Sequence, residues 1–202
     1  MKKQLLRGVI IGALAAMSAG VSTLAQADGT AQLDLTVEAN ITAGTCASSV
    51  IMGETETNTI AMGNVYLSEV LARSKSQPFK LRFSDCAGLQ NKKAELVVAP
   101  NGVACPGASG TDGQFPNAST ATTKANKVAI EVWTTSSPGG TDAVKLHCWT
   151  KNKQTIDLSS ATQTTPVDYP LSALMVPENG GTVSSITAGD FFSPTTFTIT
   201  YK

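Results

Sequence analysis

From Leu33 to Ile41 apolar and polar residues alternate without a break. Leu33, Leu35, Val37, Ala39 and Ile41 take one parity, and Asp34, Thr36, Glu38 and Asn40 the other. Successive side chains of a strand point to opposite faces, so this segment predicts a strand with one apolar and one hydrated edge. Shorter runs of the same kind predict strands over residues 59–62, 78–84, 94–99, 127–134, 143–149, 168–175 and 195–201. Turn formers stand between them: Asn101-Gly102, Pro106-Gly107, Pro138-Gly139-Gly140 and Asn179-Gly180-Gly181. The polar, glycine-containing stretch 107–126 reads as a long surface loop. One helical turn is expected near residues 67–73, where Leu67, Val70 and Leu71 share a face. Many short strands with punctuating turns and no internal repeat predict an all-β sandwich in one domain.

The first residues are of another kind. Lys2, Lys3 and Arg7 lead an apolar run from Gly8 to Leu24 that ends in Ala25-Gln26-Ala27. Positive lead, apolar run and small-residue site together predict a secretory signal peptide over residues 1–27, cleaved before Asp28. An uncleaved anchor is the alternative, since about 20 apolar residues span a bilayer. The A-x-A site favours cleavage. No later stretch is apolar enough for stable membrane insertion.

Cleavage leaves 175 of the 202 residues, with 12 basic against 15 acidic residues once Lys2, Lys3 and Arg7 are gone. A mildly acidic chain whose only basic doublet is Lys92-Lys93 is a poor nucleic-acid binder. The four cysteines, Cys46, Cys86, Cys105 and Cys148, all follow the signal. An even count behind a signal peptide reads as two disulfides in an oxidising compartment, with three pairings possible. No C-x-x-C occurs, and the single histidine, His147, has no second ligand at metal spacing, so a zinc site is not expected.

Three segments in order carry a resemblance. The alternating strand 33–41 leads into Cys46. Forty residues on, Pro78-Phe79-Lys80-Leu81-Arg82-Phe83-Ser84-Asp85-Cys86 forms a P-F-x-L-x-F-x-D-C run. Near the end, Ile186-Thr187-Ala188-Gly189-Asp190-Phe191 precedes the alternating Thr196-Phe197-Thr198-Ile199-Thr200-Tyr201-Lys202. Taken together these resemble the fimbrial subunits, or pilins, of chaperone–usher fimbriae of the type 1 and P pilus kind, over Leu33 to Lys202. Ala39 in place of the donor strand's usual glycine, the extra pair Cys105 and Cys148, and the long polar loop depart from that pattern.

The resemblance implies an incomplete immunoglobulin-like β-sandwich that lacks its final strand and is completed by a donor strand from another subunit. Strand addition between chaperones and pilins is a known recognition mode. The implied plan is a donor-strand extension over residues 28–41 and a pilin domain over 42–202. Leu33, Leu35, Val37, Ala39 and Ile41 become the donor residues, each entering a neighbour's groove. Four large aliphatics buried this way contribute on the order of 6–12 kcal/mol before entropy costs. Phe197, Ile199 and Tyr201 become groove-lining residues held by a periplasmic chaperone, with the carboxylate of Lys202 gripped by basic chaperone residues. Cys46 pairs with Cys86, worth about 4 kcal/mol for a loop of that size, leaving Cys105 for Cys148. The implied partners are the periplasmic chaperone, an outer-membrane usher and other pilin subunits. The implied destination is a cell-surface fimbrium reached through the periplasm.

On this reading the chain is a structural or adaptor subunit, supports cell adhesion, and requires no cofactor. An adhesive tip subunit binding a host glycan or protein is the alternative. Such subunits carry an extra binding domain and lack a donor strand of their own. An enzyme is not expected: no G-x-S-x-G or comparable nucleophile motif accompanies His147. Trp133 and Trp149 could stack on a sugar, but strand-borne tryptophans are more often core.

Overall fold

The computed structural model describes residues 38–39, 43–107 and 113–202. In chain order its elements are β1 (Thr45–Met52), β2 (Thr55–Glu56), α1 (Leu67–Ala72), β3 (Ser76–Ala87), β4 (Lys93–Pro100) and β5 (Gln114–Pro116). Then come β6 (Val128–Trp133), β7 (Lys145–Leu146), β8 (Gln154–Asp157), β9 (Val167–Pro177) and β10 (Thr195–Tyr201). One sheet runs β2-β1-β3-β9-β6-β5, with β7 also paired to β6; the other runs β10-β4-β8. Every strand pairing is antiparallel.

The period of two in the sequence decides which face each strand buries. Phe79, Leu81 and Phe83 of β3 point into the space between the sheets, as do Leu171, Ala173 and Met175 of β9. Ala94, Leu96 and Val98 of β4 and Ile156 of β8 meet them from the smaller sheet. The strand β6 is buried on both faces. Val128, Ile130 and Val132 join this core, while Ala129 packs with Leu174 and Val176 on the outer side. That outer side also holds Glu131, whose carboxylate is 2.6 Å from Arg73 Nη2 and 3.3 Å from Lys145 Nζ. Trp133 Nε1 donates to the same carboxylate. Arg73 is the left-handed C-cap of α1, so this cluster pins the helix end to the sheet.

The disulfides are Cys46–Cys86, joining the start of β1 to the end of β3, and Cys105–Cys148, joining the segment after β4 to the turn after β7. No thiol is free.

Several sequence expectations change. Residues 59–62 are not a strand: Thr57 Oγ1 and Thr59 bond each other's backbone and side-chain groups locally, which competes with a ladder. Ile60 and Met62 instead pack irregularly on the core. The 107–126 stretch is not wholly a surface loop. It contains β5, with Phe115 fully buried. Gln114 and Asn117 are buried beside it with their amides bonded to backbone carbonyls of Pro177, Ala125 and Asp190. Phe115 stands alone among small and polar residues, so no alternation marked it. The strand expected over 143–149 shortens to β7, because Lys151 N–H bonds the His147 carbonyl and turns the chain.

Across the β3–β9 pair, Asp168 accepts from Arg82 Nε and Nη2 at 2.7 and 2.8 Å and lies 2.7 Å from Lys80 Nζ. The Arg82 hydrogen bonds, then Lys80, hold its carboxyl at about 2, below the ordinary 3.8. A carboxyl whose pKa falls on folding adds stability that is fully present above its unfolded value. That stability is lost as pH drops from about 4 through 2. For this exposed cluster the contribution is about 1 kcal/mol or less. Asp168→Asn is therefore expected to lower stability slightly at pH 7 and to flatten the acid limb of a pH–melting curve between pH 4 and 2. An unchanged acid limb counts against this assignment.

Candidate functional site

The strand β10 lies at the edge of the smaller sheet. Its register with β4 runs from Thr195↔Pro100 to Tyr201↔Ala94, and among the described residues it pairs with no other strand. Lys202 N–H donates to the Lys93 carbonyl, and Asn101 N–H to that of Pro194, at 2.9 Å each. In an antiparallel ladder bonded and non-bonded pairs alternate. The even-numbered residues of β10 therefore face β4, and the amides and carbonyls of Phe197, Ile199 and Tyr201 face the open edge.

Across from that edge stands β1. It is zipped to β3 on one side through residues 45–51. On its other side β2 meets it only at Ile51 and Met52, extended by one bond from Thr57 N–H to the Val50 carbonyl. Among the described residues, no strand pairs with the preceding residues of β1 on that side. Two open strand edges thus face each other across a groove of about 670 Å³. Ser48 and Val50 form one wall, Phe197 and Ile199 the other, Leu81 the floor, and residues 56–58 one end. The Tyr201 hydroxyl donates to the Cys46 carbonyl at 3.0 Å and bridges the two strands beyond Ile199.

The apolar face of β10 is only partly covered. Phe197 and Tyr201 rest edge-on against Phe79 and Phe83, with ring centroids 6.2 and 6.5 Å apart. Yet Phe197, Ile199 and Tyr201 are all half-buried, whereas Val98 and Leu96, their ladder partners from β4, are 1% and 0% exposed. Over residues 93–96 β4 has β8 on its other side, whereas among the described residues β10 has a strand on one side only.

The sequence-predicted residues fall as follows. Phe197, Ile199 and Tyr201 stand together on the groove side of β10. Lys202 follows, its carbonyl accepting from Asn91 N–H and its Nζ 3.4 Å from Glu95 Oε2. Cys46 and Cys86 close one end of β1 onto β3, and Cys105–Cys148 lies elsewhere. Ala39 is exposed and outside any strand; Leu33, Leu35, Val37 and Ile41 lie outside the described residues. Sequence reasoning missed the opposite wall, Ser48 and Val50, and the end at residues 56–58. The β-branched pair Val50-Ile51 just after Cys46 was the available signal for a strand there.

Among the described residues no three His, Cys, Asp or Glu side chains group closely enough to hold a metal. Trp133 packs on the outer face of the larger sheet. Trp149 is off the strands, with its indole N–H on the Pro106 carbonyl. No described helix is long and apolar enough to cross a membrane.

Comparison with known proteins places this geometry. No protein-family model matches the chain. Over 174 residues it is 38% identical to an uncharacterized fimbrial-like protein, YadL, of Escherichia coli strain K12, covering 86% of each chain. In fold it is similar to the P pilus rod subunit PapA, with a TM-score of 0.51 and 13% identity over 78% of this chain and 99% of that one. A chaperone–usher pilus structure concerned with rod uncoiling gives a TM-score of 0.50 and 14% identity, covering 85% and 96%. With extended identity to a fimbrial-like protein and an antiparallel sandwich shared with pilus subunits, the chain belongs to the fimbrial protein, or pilin, family.

Proposed function

We propose that this protein is a structural or adaptor subunit of a chaperone–usher fimbria, polymerised by donor-strand exchange. Its sandwich is an incomplete immunoglobulin-like one, and the missing strand belongs between β1 and β10. A periplasmic chaperone occupies that groove first. At the outer-membrane usher a strand from another subunit replaces it. The segment 28–41 of this chain, through Leu33, Leu35, Val37, Ala39 and Ile41, performs the same service for the next subunit. The fibre so built stands on the cell surface and supports adhesion.

One observation carries the reading: two strand edges, unpaired among the described residues, face each other over half-buried Phe197 and Ile199. An open edge beside apolar side chains is a template for pairing with another chain. A strand laid there gains both ladders and covers the exposed face.

The chain starting at Asp28, produced without partners, is expected to aggregate or to form ladders of oligomers. The same chain with a flexible C-terminal linker and a second copy of residues 31–41 is expected to be a monomer by light scattering. A stable monomer of the unextended chain overturns the proposal.

A further inference from the structure

Resting on that reading of the groove, we infer that the groove selects its occupant by charge and prefers a strand from an unlike subunit to one from a second copy of this chain. Among the described residues lining the groove, Glu56 alone carries a carboxylate, and none carries a cation. It is exposed, and among the described residues no cation neutralises it by an ion pair. The cations of the adjoining sheet, Lys80 and Arg82, are both committed to Asp168 at 2.7 Å. On the other side, the outward row of β10 is Thr196, Thr198 and Thr200, which is uncharged. An incoming strand therefore buries its apolar parity and lays its polar parity beside neutral threonines, with one carboxylate at the end of the path.

This chain's own polar parity is Asp34, Thr36, Glu38 and Asn40, two carboxylates and no cation. Laid in as an extended strand at about 3.3 Å per residue, the segment would hold its carboxylates about 13 Å apart, one on each half. Either direction of entry therefore brings one of them onto the half of the groove that ends at Glu56. Charges within the Debye length of about 8 Å at physiological salt are not fully screened. Like charges on adjacent strands oppose pairing. The favoured occupant is a strand with the same apolar parity but neutral or basic residues where this chain has Asp34 and Glu38. A second copy of this chain lacks such a strand, so the preferred neighbour is a subunit whose strand carries those residues.

The test uses the chaperone-bound chain and two synthetic peptides of residues 31–41. One has the natural sequence and the other carries Asp34→Asn and Glu38→Gln. Displacement of the chaperone is followed by native gel. The neutral peptide is expected to enter about two- to five-fold faster or tighter. That advantage is expected to shrink in 1 M salt, where screening reaches about 3 Å. It is also expected to disappear when the chain carries Glu56→Gln. Equal uptake of both peptides overturns the charge inference while leaving the groove a strand acceptor. An advantage that persists unchanged in Glu56→Gln overturns the role of Glu56. Uptake of neither peptide overturns the groove reading and this inference with it.

Discussion

A chain carrying Leu35→Asp together with Val37→Asp is expected to fold, to be recovered with its chaperone at the yield of the natural chain, and to donate no strand to a growing fibre. Both residues lie on the apolar parity of 33–41, the segment proposed as the donor strand. Charges in a segment outside the core stay hydrated and cost nothing in folding. In a neighbour's groove, lined by residues such as Val50, Leu81, Phe197 and Ile199, each carboxylate gives up its water with no partner. The effective penalty is on the order of several kcal/mol per ion. Strand insertion should then fall by more than about a hundred-fold, since each 1.4 kcal/mol is about a factor of ten. Immunoblots of the periplasmic complex and of sheared surface fibres measure the two steps separately. Loss of the chaperone complex would put these residues in the subunit's own core. Normal attachment of the following subunit would remove them from the donor strand.

A mixture of two modified chains separates giving a strand from receiving one. The first chain carries the C-terminal linker and donor copy, so its groove is filled while its own 33–41 segment is free. The second carries Leu35→Asp and Val37→Asp and is presented on its chaperone, so it has an available groove and no usable donor. Neither is expected to polymerise alone. Mixed, they are expected to give a one-to-one complex and nothing longer, because one donor meets one acceptor and no second of either remains. Sedimentation and native mass spectrometry read the stoichiometry. Longer species would mean contacts other than the groove drive assembly. The absence of any complex would mean that the 33–41 segment does not fit this subunit's groove.

How far the sequence could be read follows strand by strand. The stretch 196–201 alternates strictly, and β10 occupies it with Thr195 added. The stretch 78–84 lies within β3, whose ends at Ser76-Gln77 and Cys86-Ala87 extend beyond the alternating part because ladder pairing continues there. By contrast β1 escaped notice. Its middle, Ala47-Ser48-Ser49, is small and polar, and a bulge between Thr45 and Ala47 breaks the parity. To the groove it presents only Ser48, Ser49 and Val50, whereas β10 presents Phe197 and Ile199. Also invisible was β8, where only Ile156 is buried. The groove could not be read locally at all. It depends on which strands are neighbours, and β1 faces β10 from the opposite end of the sequence.

Amide hydrogen exchange on β10 tests the central claim most directly. It is to be measured on dilute, freshly refolded chain and on the chain extended by the linker and donor copy. In the first, the amides of Thr196, Thr198 and Thr200 should be protected by β4, and those of Phe197, Ile199 and Tyr201 should exchange quickly at the open edge. In the extended chain the three odd-numbered amides should slow by at least about a hundred-fold, the scale of a strand edge becoming paired in a stable core, while the even-numbered ones change far less. If Phe197, Ile199 and Tyr201 exchange at the same rate in both chains, no strand enters between β1 and β10, and the account is wrong.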